Sequence, residues 1–179
     1  SVKRAELEVH GTIENGVSCA SNDKEANIIV RTASTAVVKG NVSVNAGIKV
    51  DLVGERTESG INVVVNVESA TLYVNIPVAV TLNKDNTNIK FASAAVDSSL
   101  KFAANVKVTV VTEVDVKVEG AKIDTIPADK IVEVQADKDE MTDAEDPSID
   151  GAEDNLGDSG EPEPPTEPED DSSSSGDDS

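Results

Sequence analysis

The chain has 179 residues and a formal net charge of −20, with 35 Asp and Glu against 15 Lys and Arg, two Phe, one Tyr and no Trp. So few rings exclude aromatic stacking platforms for single-stranded nucleic acid and aromatic cages for sugars or quaternary amines, and the acidic balance opposes phosphate-backbone binding, which draws on Lys and Arg. The acids are unevenly placed: residues 135–179 hold 18 of them and a single base, Lys138, which leaves a nearly neutral body, residues 1–134, and a polyanionic tail, residues 135–179.

At the N-terminus, SVKRAELEV has no apolar stretch of signal-peptide type, and no later run approaches the roughly 18 to 20 apolar residues that span a bilayer. A first residue of Ser rather than Met fits a mature protein or a trimmed one, and the expected location is secreted. Next come the lone His10 and the lone Cys19. If Asn15-Gly16 closes a two-residue hairpin, Thr12 faces Cys19 and His10 lies diagonally nearby on the same outward face. A nucleophile dyad also needs an orienting group and an oxyanion donor, and none is in view, so the expected use of Cys19 is an intermolecular disulfide.

The body reads as strands nearly throughout, because its apolar residues recur at every second position and so share one face of a pleated strand. The runs are Val42 to Leu52, Ile61 to Val67, Leu72 to Leu82 and Val106 to Val118, the last with Thr112 holding the register. Burial on one side only is the habit of antiparallel sheets. Asn15-Gly16 and Gly40-Asn41 suit two-residue type I′ and II′ turns, and GERTESG at 54–60 and NKDNTN at 83–88 would close longer hairpins. Pro77, inside a strand-like run, predicts an edge strand or a bulge. The one weak helical signal, 97–104, competes with a strand. The fold expected is all-β, an antiparallel β-sandwich or jelly roll of about eight to ten strands followed by a disordered acidic C-terminal tail.

Asn41-Val42-Ser43 is a glycosylation sequon, which makes Asn41 an acceptor if the chain is secreted. From Gln135 onward the apolar pattern stops, five of the seven prolines appear and acids recur throughout, so the segment has too little to bury to offset the entropy of ordering. Its carboxylates, Asp170, Asp171, Asp177 and Asp178 among them, are hard oxygen ligands that would hold Ca²⁺ weakly and diffusely, since no preformed loop gathers them. Ser159 stands in the S-x-E form of a secreted phosphoacceptor. No other cofactor is expected.

Two partial resemblances add to this. The segment AELEVHGTIENGVSCASND resembles the first strand of a chaperone-assembled bacterial pilin, although here Cys19 has no second cysteine to pair with and the chain ends in acids. The Val, Ala, Ser, Thr and Lys-rich body is similar in composition to bulk proteins of biological adhesives and cements. Neither resemblance carries a residue role.

There is no G-x-S-x-G, H-E-x-x-H, P-loop or dinucleotide fingerprint. The expectation is a non-enzymatic extracellular structural or adhesive protein that self-assembles through its β body. Its acidic tail would contact cations, mineral or basic protein surfaces and tune assembly. No nucleic acid partner and no membrane span are expected. The alternatives are a carrier of an apolar ligand in a β-barrel or groove, and an adaptor domain whose tail binds a basic partner.

Overall fold

A computed structural model describes residues 3–151. The chain winds as a β-solenoid of about six turns. The first rung is β1 (Arg4–Val9), β2 (Thr12–Ile13) and β3 (Val17–Cys19); the second is β4 (Asn27–Thr32), β5 (Val37–Val38) and β6 (Asn41–Val44). Four two-strand rungs follow: β7 (Lys49–Gly54) with β8 (Asn62–Val65), β9 (Thr71–Val74) with β10 (Ala79–Leu82), β11 (Thr87–Phe91) with β12 (Ser99–Phe102), and β13 (Lys107–Thr112) with β14 (Val116–Glu119). Then β15 (Thr125–Ile126), β16 (Lys130–Gln135) and β17 (Thr142–Asp143) close the far end.

The first strand of each rung pairs in parallel with the first strand of the next, and the last with the last. This makes an eight-stranded sheet, here sheet I, in the order β1-β4-β7-β9-β11-β13-β16-β17. Facing it is a seven-stranded sheet, sheet II, in the order β15-β14-β12-β10-β8-β6-β3. Only β15, β16 and β17 run antiparallel to their neighbours. The expected antiparallel β-sandwich or jelly roll of eight to ten strands is therefore corrected to a parallel solenoid with seventeen short strands among the described residues.

The physical reason lies in the corners. The run from Leu72 to Leu82 is not one strand: it breaks between β9 and β10, yet Ile76 and Val78 in the corner remain buried like the strand residues on either side. Alternation survives because the chain bends around a core that stays on the same side of it. The runs 42–52 and 106–118 bend in the same way, between β6 and β7 and between β13 and β14. One-sided burial thus arises in parallel sheets too when each has the core on one face and solvent on the other. Pro77 sits in the corner, outside both strands, where its missing N–H costs no ladder bond. Residues 97–104 contain β12, so the helical signal gives way to a strand.

The hairpin signals mark stacked corners instead. Gly16, at φ 80°, lies against the backbone of Asn41, and a Cβ on Gly40 would stand 2.7 Å from the Gly16 nitrogen. Only residues without a side chain let two successive corners approach this closely. The stretches 54–60 and 83–88 likewise carry the chain from one sheet to the other.

The core between the sheets is aliphatic, with Val30, Leu52, Leu72, Val74, Ile89 and Phe91 from sheet I against Val42, Val44, Val63, Val65, Leu82 and Leu100 from sheet II, each at most 1 % exposed. At roughly 1.5 to 3 kcal/mol of transfer free energy per buried side chain of this size, the core is what holds the rungs together.

Candidate functional site

The solenoid turns the outward side chains of each sheet into rows, one residue per rung, at the strand spacing of roughly 4.8 Å. On sheet II the registers place Ser18, Ser43, Val64 and Thr81 in one row, and Asn41, Asn62, Ala79 and Ser99 in another. Just beyond the strands the Asn66 amide donates to the Asn45 side-chain oxygen at 3.1 Å, the Asn83 amide donates to Asn66 at 2.9 Å, and the Asn45 amide donates to the Ser18 hydroxyl at 2.9 Å. From β3 to β10 the outward strand residues of this face carry no charge. Charge enters with Lys101 and Glu119, 2.7 Å apart.

Sheet I is built differently. Its outward row runs Glu6, Ile29, Asp51, Tyr73, Lys90, Val111 and Ile131. These residues alternate with core residues, yet Ile29 and Asp51 are fully buried and Val111 nearly so. The Asn27 amide donates to Asp51 Oδ2 at 3.0 Å, and Lys49 Nζ lies 4.0 Å from Oδ1. Ion pairs lace the neighbouring rungs, with Arg31 and Glu6 2.7 Å apart and Lys90 and Glu113 3.8 Å apart.

After β17 the chain crosses the outside of this sheet. Ala144 N donates to the Ile131 carbonyl at 3.1 Å, and Pro147 and Glu145 share a shallow depression with Asn88 and Thr109. Ser148, at φ 54°, donates its N–H to Asp146 Oδ1 at 2.9 Å, Ile149 is 5 % exposed, and Gly151 lies against the Tyr73 ring, where any Cβ would collide.

The two ends also differ. Among the described residues no strand pairs with the outer edge of β1 or of β3, and Leu7, which points toward the core, is 38 % exposed. At the other end the antiparallel β16 and β15 cover the last rung, and the final edge, β17, is only two residues long.

The sequence-derived site residues fall as follows. Cys19 and His10 do not share an outward face: β3 pairs in parallel with β6, which turns Cys19 into the core with no exposed surface, while β2 pairs with β5 and not with β3. Burial pushes the Cys19 thiol up to about 11, so the thiolate that would form an intermolecular disulfide is both sealed and disfavoured. His10 lies in the solvent with its Nε2 2.9 Å from Glu8 Oε1. Asn41 is exposed at the start of β6, where a glycosylating enzyme would reach it. Ser159, Asp170, Asp171, Asp177 and Asp178 lie outside the described residues, as does most of the segment expected to be disordered. Among the described residues no three His, Cys, Asp or Glu side chains are gathered as a metal site.

One cleft of about 390 Å³ opens between the 54–60 connection and the corner at Pro77, bridged by Arg56 and Asp97 at 3.0 Å. Its lining includes Thr57, Glu58, Ser59, Ile61 and Ser99. No described helix is long and apolar enough to cross a membrane.

The sequence reading missed the asparagine row and the covering segment. The signal for the first was the recurrence of Asn just after the last core residue of a strand, at Val44-Asn45, Val65-Asn66 and Leu82-Asn83. Comparison with family models, with curated proteins and with solved structures finds no match for this chain.

Proposed function

We propose that this chain is a non-enzymatic structural or adhesive protein acting outside the cell, a β rod that self-assembles through its first rung. In this reading its acidic C-terminal region keeps copies apart and draws in Ca²⁺, mineral or basic surfaces. The observation that carries the proposal is the first rung itself. Among the described residues strand β1 offers six residues of edge to which no strand is paired, beside Leu7, a large core-facing residue left substantially exposed. Such an edge is a template for a further strand. Charged Arg4, Glu6 and Glu8 on its solvent side select the register in which it pairs.

The carrier alternative, an apolar ligand held in a barrel or groove, needs more interior space than the side chains fill, and the aliphatic core between the sheets does not favour its barrel form. The adaptor alternative, with a basic partner on the tail, remains separable by experiment. Light scattering on the full chain over a concentration series, with NaCl and Ca²⁺ titrations, tests the proposal. Assembly that grows with salt or Ca²⁺ and is lost in Leu7→Lys supports it. A full chain that stays monomeric throughout sinks it, and a basic polypeptide binding to that monomer turns the assignment to an adaptor.

A further inference from the structure

We propose that the first rung is a self-complementary surface: two copies of this chain join head to head by pairing β1 with β1 in antiparallel, and assembly through this edge stops at two. This rests on assembly through the first rung and names its partner as a second copy of the chain. The two ends of the stack are unlike. Among the described residues β1, β2 and β3 each pair on one side only, with β4, β5 and β6. The core is left partly open there, with Ala5 and Leu7 exposed and Ile13 and Val17 only partly buried. At the far end Ile126, Val132 and Val134 are sealed, and the outer strands β15 and β17 offer two residues each. A six-residue edge finds no template of its own length at that end, so head-to-tail growth has no seat, and the edge that matches β1 is β1 of another copy.

Backbone and charge together fix the register. Lys3 and Val9 direct their carbonyls to the N–H groups of Asn27 and Ala33 in the second rung. By the alternation of a strand, Arg4, Glu6 and Glu8 direct their own carbonyls and N–H groups to the open edge. Antiparallel pairing about a two-fold axis at Glu6 then sets Arg4 of each copy opposite Glu8 of the other, and Leu7 opposite Ala5. Opposite charges directly across such a ladder stabilise it. The Arg4 and Glu8 side chains are 48 % and 57 % exposed, in surface pairs with Glu6 at 3.6 Å and His10 at 2.9 Å that cost little to exchange. A shift of two residues one way would set Glu6 opposite Glu8 twice, and the other way would leave three residues in the ladder. The one unfavourable contact is Glu6 opposite its own copy, softened by Arg31 at 2.7 Å.

Sedimentation equilibrium of the full chain over a concentration series, at about 0.15 M NaCl, tests this. The expected result is a monomer–dimer equilibrium with no larger species. Arg4→Glu and Glu8→Arg each set like charges across the axis and should weaken the dimer at least about fivefold, with the β fold intact by circular dichroism. Mixing these two variants in equal amounts should restore it, because each supplies the charge that the other lacks. Glu6→Gln removes the like-charge contact on the axis and should tighten the dimer by up to about fivefold. Growth beyond two copies overturns the head-to-head closure and leaves self-assembly through the first rung standing, whereas a chain that is monomeric at every concentration overturns both. A dimer indifferent to the charge reversals, or one that mixing fails to restore, overturns the pairing of β1 with itself.

Discussion

The two sheets share one core and one winding, yet their outsides have little in common. Sheet II presents uncharged Ser, Asn, Thr and Ala over most of its strands, tied by amides that donate from rung to rung. Sheet I presents charged residues laced by ion pairs, and a segment of the chain lies across it. The backbone ladder treats both alike, so the difference is carried wholly by every second residue. A solenoid therefore fixes its interior once and leaves two surfaces to be written independently.

Cutting the shared interior should damage both faces together. Phe91, in β11, is the largest fully buried side chain among the described residues, and Phe91→Ala should cost about 3 to 5 kcal/mol in a denaturant titration. If the loss stays below about 1 kcal/mol, the two sheets are not held by the interior between them.

The next effect compares the sheets strand by strand. Gly54 ends β7 of sheet I at φ 112° against the Thr32 carbonyl, and Gly120 follows β14 of sheet II at φ 83° against the Phe102 carbonyl. Alanine at either should cost about 1 to 3 kcal/mol through backbone strain and collision, of similar size in both. A large loss at one and none at the other would mean that the sheets do not constrain their corners alike.

Alkaline pH should probe sheet II through Cys19. Its pKa is raised from 9.0 to about 11 in the fold, so the unfolded chain gives up the proton first. The contribution is intact below pH 9, and stability should fall by on the order of 2 kcal/mol as pH climbs toward 11. Thermal midpoints of Cys19→Val should lack that component of the alkaline decline.

Salt should separate the outer faces by smaller amounts. Asn66→Ala removes two amide hydrogen bonds from sheet II and should cost about 1 kcal/mol at any ionic strength. Glu6→Gln weakens the pair with Arg31 and should cost at most about 1 kcal/mol, less as NaCl is added. Equal salt dependence in the two variants would erase the distinction between the faces. Smallest of all is an acid effect at two surface carboxylates. Glu55 is held below its usual range by the Ser34 N–H, and Asp23 by the Glu25 N–H and then by Lys3. Their contribution is present above their ordinary values and fades as pH falls through the lowered ones.

The all-β class and nearly all of the core were legible in the sequence, because alternation of Val, Ile and Leu reports which side of the chain is buried. It does not report the direction of the next strand. In a hairpin and in a solenoid corner the inward face persists alike, as Ile76 and Val78 show, and Gly16 with Gly40 serves two stacked corners as well as two hairpin turns. The repeat that would have decided the matter is irregular, with sheet I partners 23 residues apart between Arg4 and Asn27 but 17 apart between Thr71 and Asn88. The cover over sheet I was hidden for a different reason. Ile149 is a single apolar residue among acids, and only the surface that receives it shows that it is an anchor.

That irregular rung length has a mechanical consequence. In the regular stack each rung pairs only with the rungs beside it, so a rod pulled from its C-terminal end should peel rung by rung rather than open at once. Each release would lengthen the tether by the contour of one rung, roughly 60 Å for the 17-residue interval and about 80 Å for the 23-residue one. A force–extension trace would then record a series of unequal steps, and their order would identify which rung had let go.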